Sequence, residues 1–293
     1  MRNLEFYTSR FFSLIEKEGI NYEDSDYIIL GVPYDSTVSY KPGARFGPDK
    51  IRESFYELET FDFETGLDFE DINVYDAGNF SFEVNADNIV KKIRNVVSEI
   101  VEDDKIPVLL GGEHTITLGG IEGIIEREDD IVYVVFDAHL DMRDEYPLGN
   151  RLTHATVNRR IIEKIGLENI VIAGVRACSK EEYNFIRKNK IKVYGVDEKI
   201  RMDFLRDKNV YVSIDLDVLD PSIAPGVGNP EPLGISLYRL MDLLRSISKY
   251  CNIKAFDIVE LNPLYDNNGI TVSVASKILQ KLIIYIEKYK NVK

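Results

Sequence analysis

Short runs rich in β-branched residues alternate with longer amphipathic stretches along the chain, and this alternation restricts the fold more than any other feature. The runs fall at 26–32, 73–76, 106–110, 131–136, 169–173, 191–195, 209–214 and 253–259. Several are apolar throughout, as in Ile131-Val132-Tyr133-Val134-Val135-Phe136. A strand with no polar face is covered on both sides, the condition of a parallel sheet between two layers. The stretch 86–102 carries Ile89, Val90, Ile93, Val96, Val97, Ile100 and Val101 at helical spacing, and 236–249 and 271–289 repeat the pattern. Strand–helix–strand units impose right-handed crossovers. They predict an α/β chain, a three-layer α/β/α sandwich around an eight-stranded, mainly parallel sheet. No boundary interrupts the pattern, so one domain over 1–293 is expected. The exception is 33–72, rich in Tyr, Phe, Gly and acidic residues, which reads as an insertion near a functional edge.

Charge narrows the function. Lys and Arg number 36 against 50 Asp and Glu, a formal charge of −14. A chain that grips phosphate backbones needs a basic face, and a polybasic membrane binder needs basic clusters, so neither nucleic acid nor membrane is an expected partner. An acidic field favours cationic ligands and metal ions. Cys178 and Cys251 lie far apart and form no zinc or disulfide framework. The apolar patch Phe11-Phe12-Ser13-Leu14-Ile15 is too short for a signal core, and no run approaches the ~20 residues of a membrane span. The expected location is the cytoplasm.

The chain has three histidines, His114, His139 and His154. His114 follows the run 106–110 in Gly111-Gly112-Glu113-His114-Thr115, and His139 follows 131–136 in Asp137-Ala138-His139-Leu140-Asp141. Asp215 and Asp217 end the run 209–214. Ligands of open α/β sheets gather at the carboxyl ends of strands, where all three clusters fall. Asp137, His139 and Asp141 stand at i, i+2 and i+4, which an extended backbone points the same way. Taken singly, a histidine after a strand is more often a hydrogen-bonded core residue, and an aspartate there a turn or helix cap. Their coincidence at one sheet edge outweighs that reading. Four carboxylates with two imidazoles are too many anions for one site unless cations hold them, and two divalent ions balance the charge. Oxygen-rich ligation without thiolate suits Mn²⁺.

With these motifs the chain resembles the ureohydrolases, the arginase and agmatinase family of binuclear manganese enzymes. The resemblance rests on GGEHT at 111–115, FDAHLD at 136–141, SIDLDVLDP at 213–221 and GVGNPEPLG at 226–234, and it extends from Gly31 to Pro263. The segment Tyr40-Lys41-Pro42-Gly43-Ala44-Arg45-Phe46-Gly47-Pro48 is similar to the agmatinase branch. The resemblance implies an arginase-like fold and two Mn²⁺ per chain. His114 and Asp141 would bind one ion, His139 and Asp217 the other, and Asp137 and Asp215 both. It gives catalytic roles to Asp141, to His154 as proton shuttle, and to Glu260 as the carboxylate that holds the guanidinium. His154 is followed by Ala155, where the family has glycine. A homo-oligomer, trimer or hexamer, is also implied.

A guanidinium carbon is a poor electrophile and neutral water a weak nucleophile, so metal-assisted hydrolysis is the chemistry this ligand set suits. Between Asp141 and His154 there is no Ser-rich clamp for an α-carboxylate, and Asp144 and Glu145 would suit an amine, although Arg143 and Arg151 oppose this. The expected substrate is therefore agmatine, giving putrescine and urea in polyamine biosynthesis. The alternatives are aminopropylagmatine, which would give spermidine directly, then arginine, guanidinobutyrate or formiminoglutamate. A catalytically silent scaffold would be expected to lack ligands, and none is missing; a zinc deacetylase would use a single metal.

Overall fold

The computed structural model describes residues 2–9, 15–201 and 203–290. Eleven strands are present among them: β1 (Thr8–Ser9), β2 (Tyr27–Val32), β3 (Phe61–Asp62), β4 (Leu67–Asp68), β5 (Val74–Phe80), β6 (Ile106–Gly111), β7 (Val132–Phe136), β8 (Ile170–Ala173), β9 (Lys192–Tyr194), β10 (Asn209–Asp215) and β11 (Asn252–Val259). β3 and β4 form a small antiparallel hairpin. The rest make one sheet in the order β1-β5-β2-β6-β11-β10-β7-β8-β9. Every pairing in it is parallel except β1 with β5, where Thr8 faces Phe80. The predicted mainly parallel sandwich is thus present. The sheet has nine strands instead of eight, because the two-residue β1 caps one edge and carries no apolar run that would reveal it. The patch residues Phe11 to Leu14 lie outside the described residues.

Alternation along each strand feeds two cores. Ile29, Val108, Val134, Val212 and Ile258 face one side, where they pack against α2 (Gly47–Phe55), α7 (Leu237–Tyr250) and α8 (Ile270–Tyr289). Ile28, Leu30, Leu109, Val135 and Tyr211 face the other, beneath α3 (Ala86–Glu102), α4 (Ile116–Ile124) and α5 (Val157–Ile165). The helices α1 (Asn3–Tyr7) and α6 (Lys180–Asn189) complete the set. Each strand side chain of β2 and β7 is buried, which explains why these runs read as continuously apolar. No helix among the described residues is long and apolar enough to cross a membrane. The stretch 33–72 folds as a loop, then α2, then the β3–β4 hairpin, and its first part reaches the carboxyl edge of the sheet.

Candidate metal and active site

Four neighbouring central strands, β6, β11, β10 and β7, deliver the predicted residues. His114 follows β6, Glu260 follows β11, Asp215 ends β10, and Asp137 follows β7. The backbone ties these ends together: Glu260 N–H donates to the Gly112 carbonyl at 2.9 Å, and His114 N–H donates to Glu260 Oε1 at 2.8 Å. Gly112 has to be glycine, since a Cβ there would overlap the carbonyl oxygen of Tyr34.

The carboxylates share one design. Asp137 Oδ1 accepts the His139 N–H at 2.6 Å, Asp215 Oδ1 the Asp217 N–H at 2.9 Å, and Asp217 Oδ1 the Ala138 N–H at 3.1 Å. Each then turns its second oxygen inward. Asp137 Oδ2, Asp141 Oδ2 and Asp215 Oδ2 lie 3.2, 3.1 and 3.5 Å from His114 Nδ1, and Asp217 Oδ2 lies 2.9 Å from His139 Nδ1. Two triads with metal-ligand spacing result, His114–Asp137–Asp141 and Asp137–His139–Asp217, with Asp137 common to both. Asp215 stands beside the first triad and belongs to neither. The expectation of an extended backbone through Asp141 is not met: the chain turns left-handed there, with φ 48°, and this turn swings the carboxylate back to His114.

Electrostatics test whether these residues fit cations. Burial and the negative charge of Asp137 push Asp141 up to about 7. Burial and the neighbouring Asp217 and Asp137 raise Asp215 well above the carboxylate range. Burial opposes protonation of His139, yet Asp217 and Asp137 outweigh it and push the imidazole up to about 12. Asp137 Oδ2 is buried and makes no hydrogen bond. Buried acids that hold protons this strongly, around an Asp137 oxygen that makes an ion pair with His114 and no hydrogen bond, form a donor set suited to divalent cations.

Above the cluster is a cavity of about 300 Å³ whose walls include Asp141, Asp215, Asp217, Glu260, His154, Ser39, Arg143, Tyr146, Glu182 and Asn229. His154 is buried; its Nε2 lies 3.2 Å from Ser39 Oγ, its N–H donates to Thr37 Oγ1 at 3.2 Å, and its Nδ1 has no partner. Burial, with the nearby His114 and His139, lowers it to about 4. Glu260 is pushed up to about 8 by burial and the neighbouring Glu113. Asp144 bonds to Arg160 at 2.7 Å and Arg151 at 3.2 Å, and neither it nor Glu145 lines the cavity. The tail-binding role expected of this pair is therefore not supported; Arg143 lies there instead, its guanidinium 4.8 Å from the Tyr146 ring.

Several contributors escaped sequence reasoning. Glu113, inside a recognised motif, is a buried carboxylate that accepts from the Thr37 N–H at 2.8 Å and from the Thr37 and Thr115 hydroxyls. Glu182 fastens Met142 N–H at 3.0 Å beside Asp141 and caps α6 through Ser179. Arg176 donates to the carbonyls of Gly174, Asp217, Val218, Leu219, Glu231 and Pro232, stapling the Asp217 turn to the loop 226–234. Only the (Ser/Thr)-x-x-Glu capping pattern of Ser179 and Glu182 left a sequence signal.

The geometry has close counterparts. Residues 25–285 match the arginase family model. An agmatinase of Bacillus subtilis is 35% identical over 97% of this chain and 99% of that protein. An N(1)-aminopropylagmatine ureohydrolase of Thermococcus kodakarensis is 36% identical over 82% of this chain and 83% of that protein. The crystal structure of the agmatine ureohydrolase of Thermoplasma volcanium superposes with a TM-score of 0.87 at 34% identity, covering 96% of this chain and 97% of that one. With a family match that covers most of the chain and every strand end of the cluster, the chain belongs to the arginase family, a family of hydrolases acting on guanidino C–N bonds.

Proposed function

We propose that the protein is a binuclear manganese ureohydrolase that cleaves agmatine to putrescine and urea. The observation that carries this reading is the pair of ligand triads sharing Asp137 at the floor of an acidic cavity. His114, Asp137 and Asp141 would hold one cation and Asp137, His139 and Asp217 the other, with Asp215 as a further ligand beside His114. When bound, the two cations would neutralise the carboxylates and acidify water enough to supply a nucleophile at neutral pH. Glu260 keeps Oε1 on the His114 N–H and presents its other oxygen to the guanidinium. His154, neutral at its depressed value, would accept the proton released by the attacking water and pass it to the departing amine, with Ser39 on its Nε2. Ser39 of the 33–72 stretch, Tyr146 and Asn229 contribute to the walls of the same cavity.

The name of the Thermococcus kodakarensis relative favours a second substrate, aminopropylagmatine, with the same bond broken. The whole chain would act as one domain, in the cytoplasm, as a homo-oligomer. A panel of guanidino compounds assayed for urea release with added Mn²⁺ tests the proposal. Urea from agmatine or aminopropylagmatine is the expected result; urea from neither would overturn it.

A further inference from the structure

The segment 53–71 carries eight Asp and Glu and no Lys or Arg. Within it the β3–β4 hairpin holds Phe63 97% exposed at its turn, and Phe61 and Tyr56 are exposed as well. The turn is not free to fold this ring away. Lys281 Nζ donates to Asp62 Oδ2 at 2.8 Å and to Glu64 Oε2 at 2.6 Å, and Tyr285 Oη donates to Glu64 Oε2 at 2.8 Å. Arg245 donates to Glu64 Oε1 at 2.8 Å, and Lys288 Nζ to the Thr65 carbonyl at 3.0 Å. The hairpin is thus pinned to α7 and α8 with an aromatic ring in water, and apolar surface fixed in this way marks an interaction site. The opposite sign appears on the other face of the sheet. There α6 and the edge strand β9 border a groove of about 650 Å³ with Leu140, Val175, Ile186, Ile191 and Val193 in its wall. Tyr183, Arg187 and Lys190 line it too and are exposed. The stretch 187–192 holds four cations and no acid, and Arg187, Lys188 and Lys190 have no ion pair among the described residues. Glu198, the acid on the wall, accepts the Gly195 N–H at 2.7 Å.

We propose that the β3–β4 hairpin of one copy docks in the α6–β9 groove of the next, with Phe63 as the anchor. The occupant follows from charge. A chain at −14 repels its own copies except where local signs oppose, and an acidic, aromatic hairpin against a basic, apolar groove is such a place. The two surfaces lie on opposite faces of one sheet, so a hairpin cannot enter the groove of its own chain. The contact is therefore heterologous: each copy gives a hairpin and receives one, and the ring closes when the last groove is filled. Leu140, in the wall of the groove, stands between His139 and Asp141 and also lines the active cavity. A filled groove backs the turn that carries these two residues. The inference rests on the homo-oligomer reading above and on nothing at the metal centre.

Sedimentation of the full chain across a concentration series tests the contact. Wild-type protein should be an oligomer at micromolar concentration. Phe63→Ser should raise the dissociation constant at least ~30-fold, as removal of an interface anchor does, and Phe63→Tyr should stay within about threefold of wild type. Arg187→Glu with Lys190→Glu should match the serine variant. All these positions are exposed, so the cores are left intact. Mixing decides the geometry. The Phe63→Ser chain keeps a working groove, and the charge-reversed chain keeps a working hairpin. Native mass spectrometry of an equimolar mixture, one chain ¹⁵N-labelled, should therefore show mixed pairs at about tenfold excess over like pairs. A monomeric wild type would overturn the inference together with the homo-oligomer reading. An oligomer unchanged by Phe63→Ser or by the charge reversal would overturn the docking alone, as would a mixture with no excess of mixed pairs.

Discussion

His154 illustrates how surroundings redefine a side chain. Its intrinsic value suits proton transfer near neutrality, but burial takes it down to about 4. The unfolded chain therefore binds this proton more readily than the folded one. The stability contributed is complete above about pH 6.5 and is lost as pH falls toward 4, on the order of 3 kcal/mol in all. Denaturant melts of metal-free protein at pH 7 and pH 4.5 should show a loss that is smaller by about this amount in His154→Asn; equal losses would contradict the depressed value. In the loaded enzyme the same variant should lower turnover by ~100-fold, as removal of a proton-transfer group does. Metal content by elemental analysis should not change, since both triads are complete without it. A fall in metal content would make His154 a ligand instead.

Among the elements, the strand ends and the turns that follow them decide the ligand set. Asp137→Asn should empty both metal positions, because its carboxylate is common to the two triads, whereas Asp215→Asn should weaken binding less, since Asp215 belongs to neither. Metal counting on the two variants separates these outcomes; equal loss would restore Asp215 as an equal bridge. Arg176→Met should lower Tm by roughly 10 °C, because several charge-assisted hydrogen bonds are lost at once. It should also weaken metal binding at the His139–Asp217 position, measured by Zn²⁺ titration. β7 and β10 were legible because burial on both faces leaves an apolar run, and Asp137, His139 and Asp217 because they end such runs. The left-handed turn at Asp141 was not, since nothing in an aspartate's neighbours fixes its φ. Arg176 and Ser39 were not, because their partners are backbone carbonyls and a histidine over a hundred residues away in the chain.

For the molecule as a whole, the balance of charge bears on substrate choice. The formal charge of −14, with Glu182 and Glu260 on the cavity wall beyond the ligands that the two cations would neutralise, favours a dication. Agmatine carries a guanidinium and an amine; arginine adds a carboxylate, which meets these acids unless Arg143 receives it. Each ~1.4 kcal/mol of such repulsion is tenfold in specificity, so kcat/KM for agmatine or aminopropylagmatine should exceed that for arginine by at least roughly a hundredfold. Steady-state assays with Mn²⁺ check this. Comparable values for arginine or 4-guanidinobutyrate would make Arg143 a carboxylate receptor, and Arg143→Met should then raise KM for those substrates alone.

Glu260 stands against its own surroundings in three ways at once. Its backbone is left-handed, with φ 65°, its carboxyl is buried, and Glu113 adds like charge beside it. None of these helps the chain fold, and each favours another residue at that position. A lineage released from the need to turn over substrate would drift away from this glutamate early, while the scaffold around it stayed sound. Position 260 can therefore serve as a marker when descendants of such a chain are sorted into working and silent copies. On the role proposed for Glu260, those that keep the acid would be expected to work, and those that replace it with glycine would lose both the guanidinium contact and the partner of the buried His114 N–H.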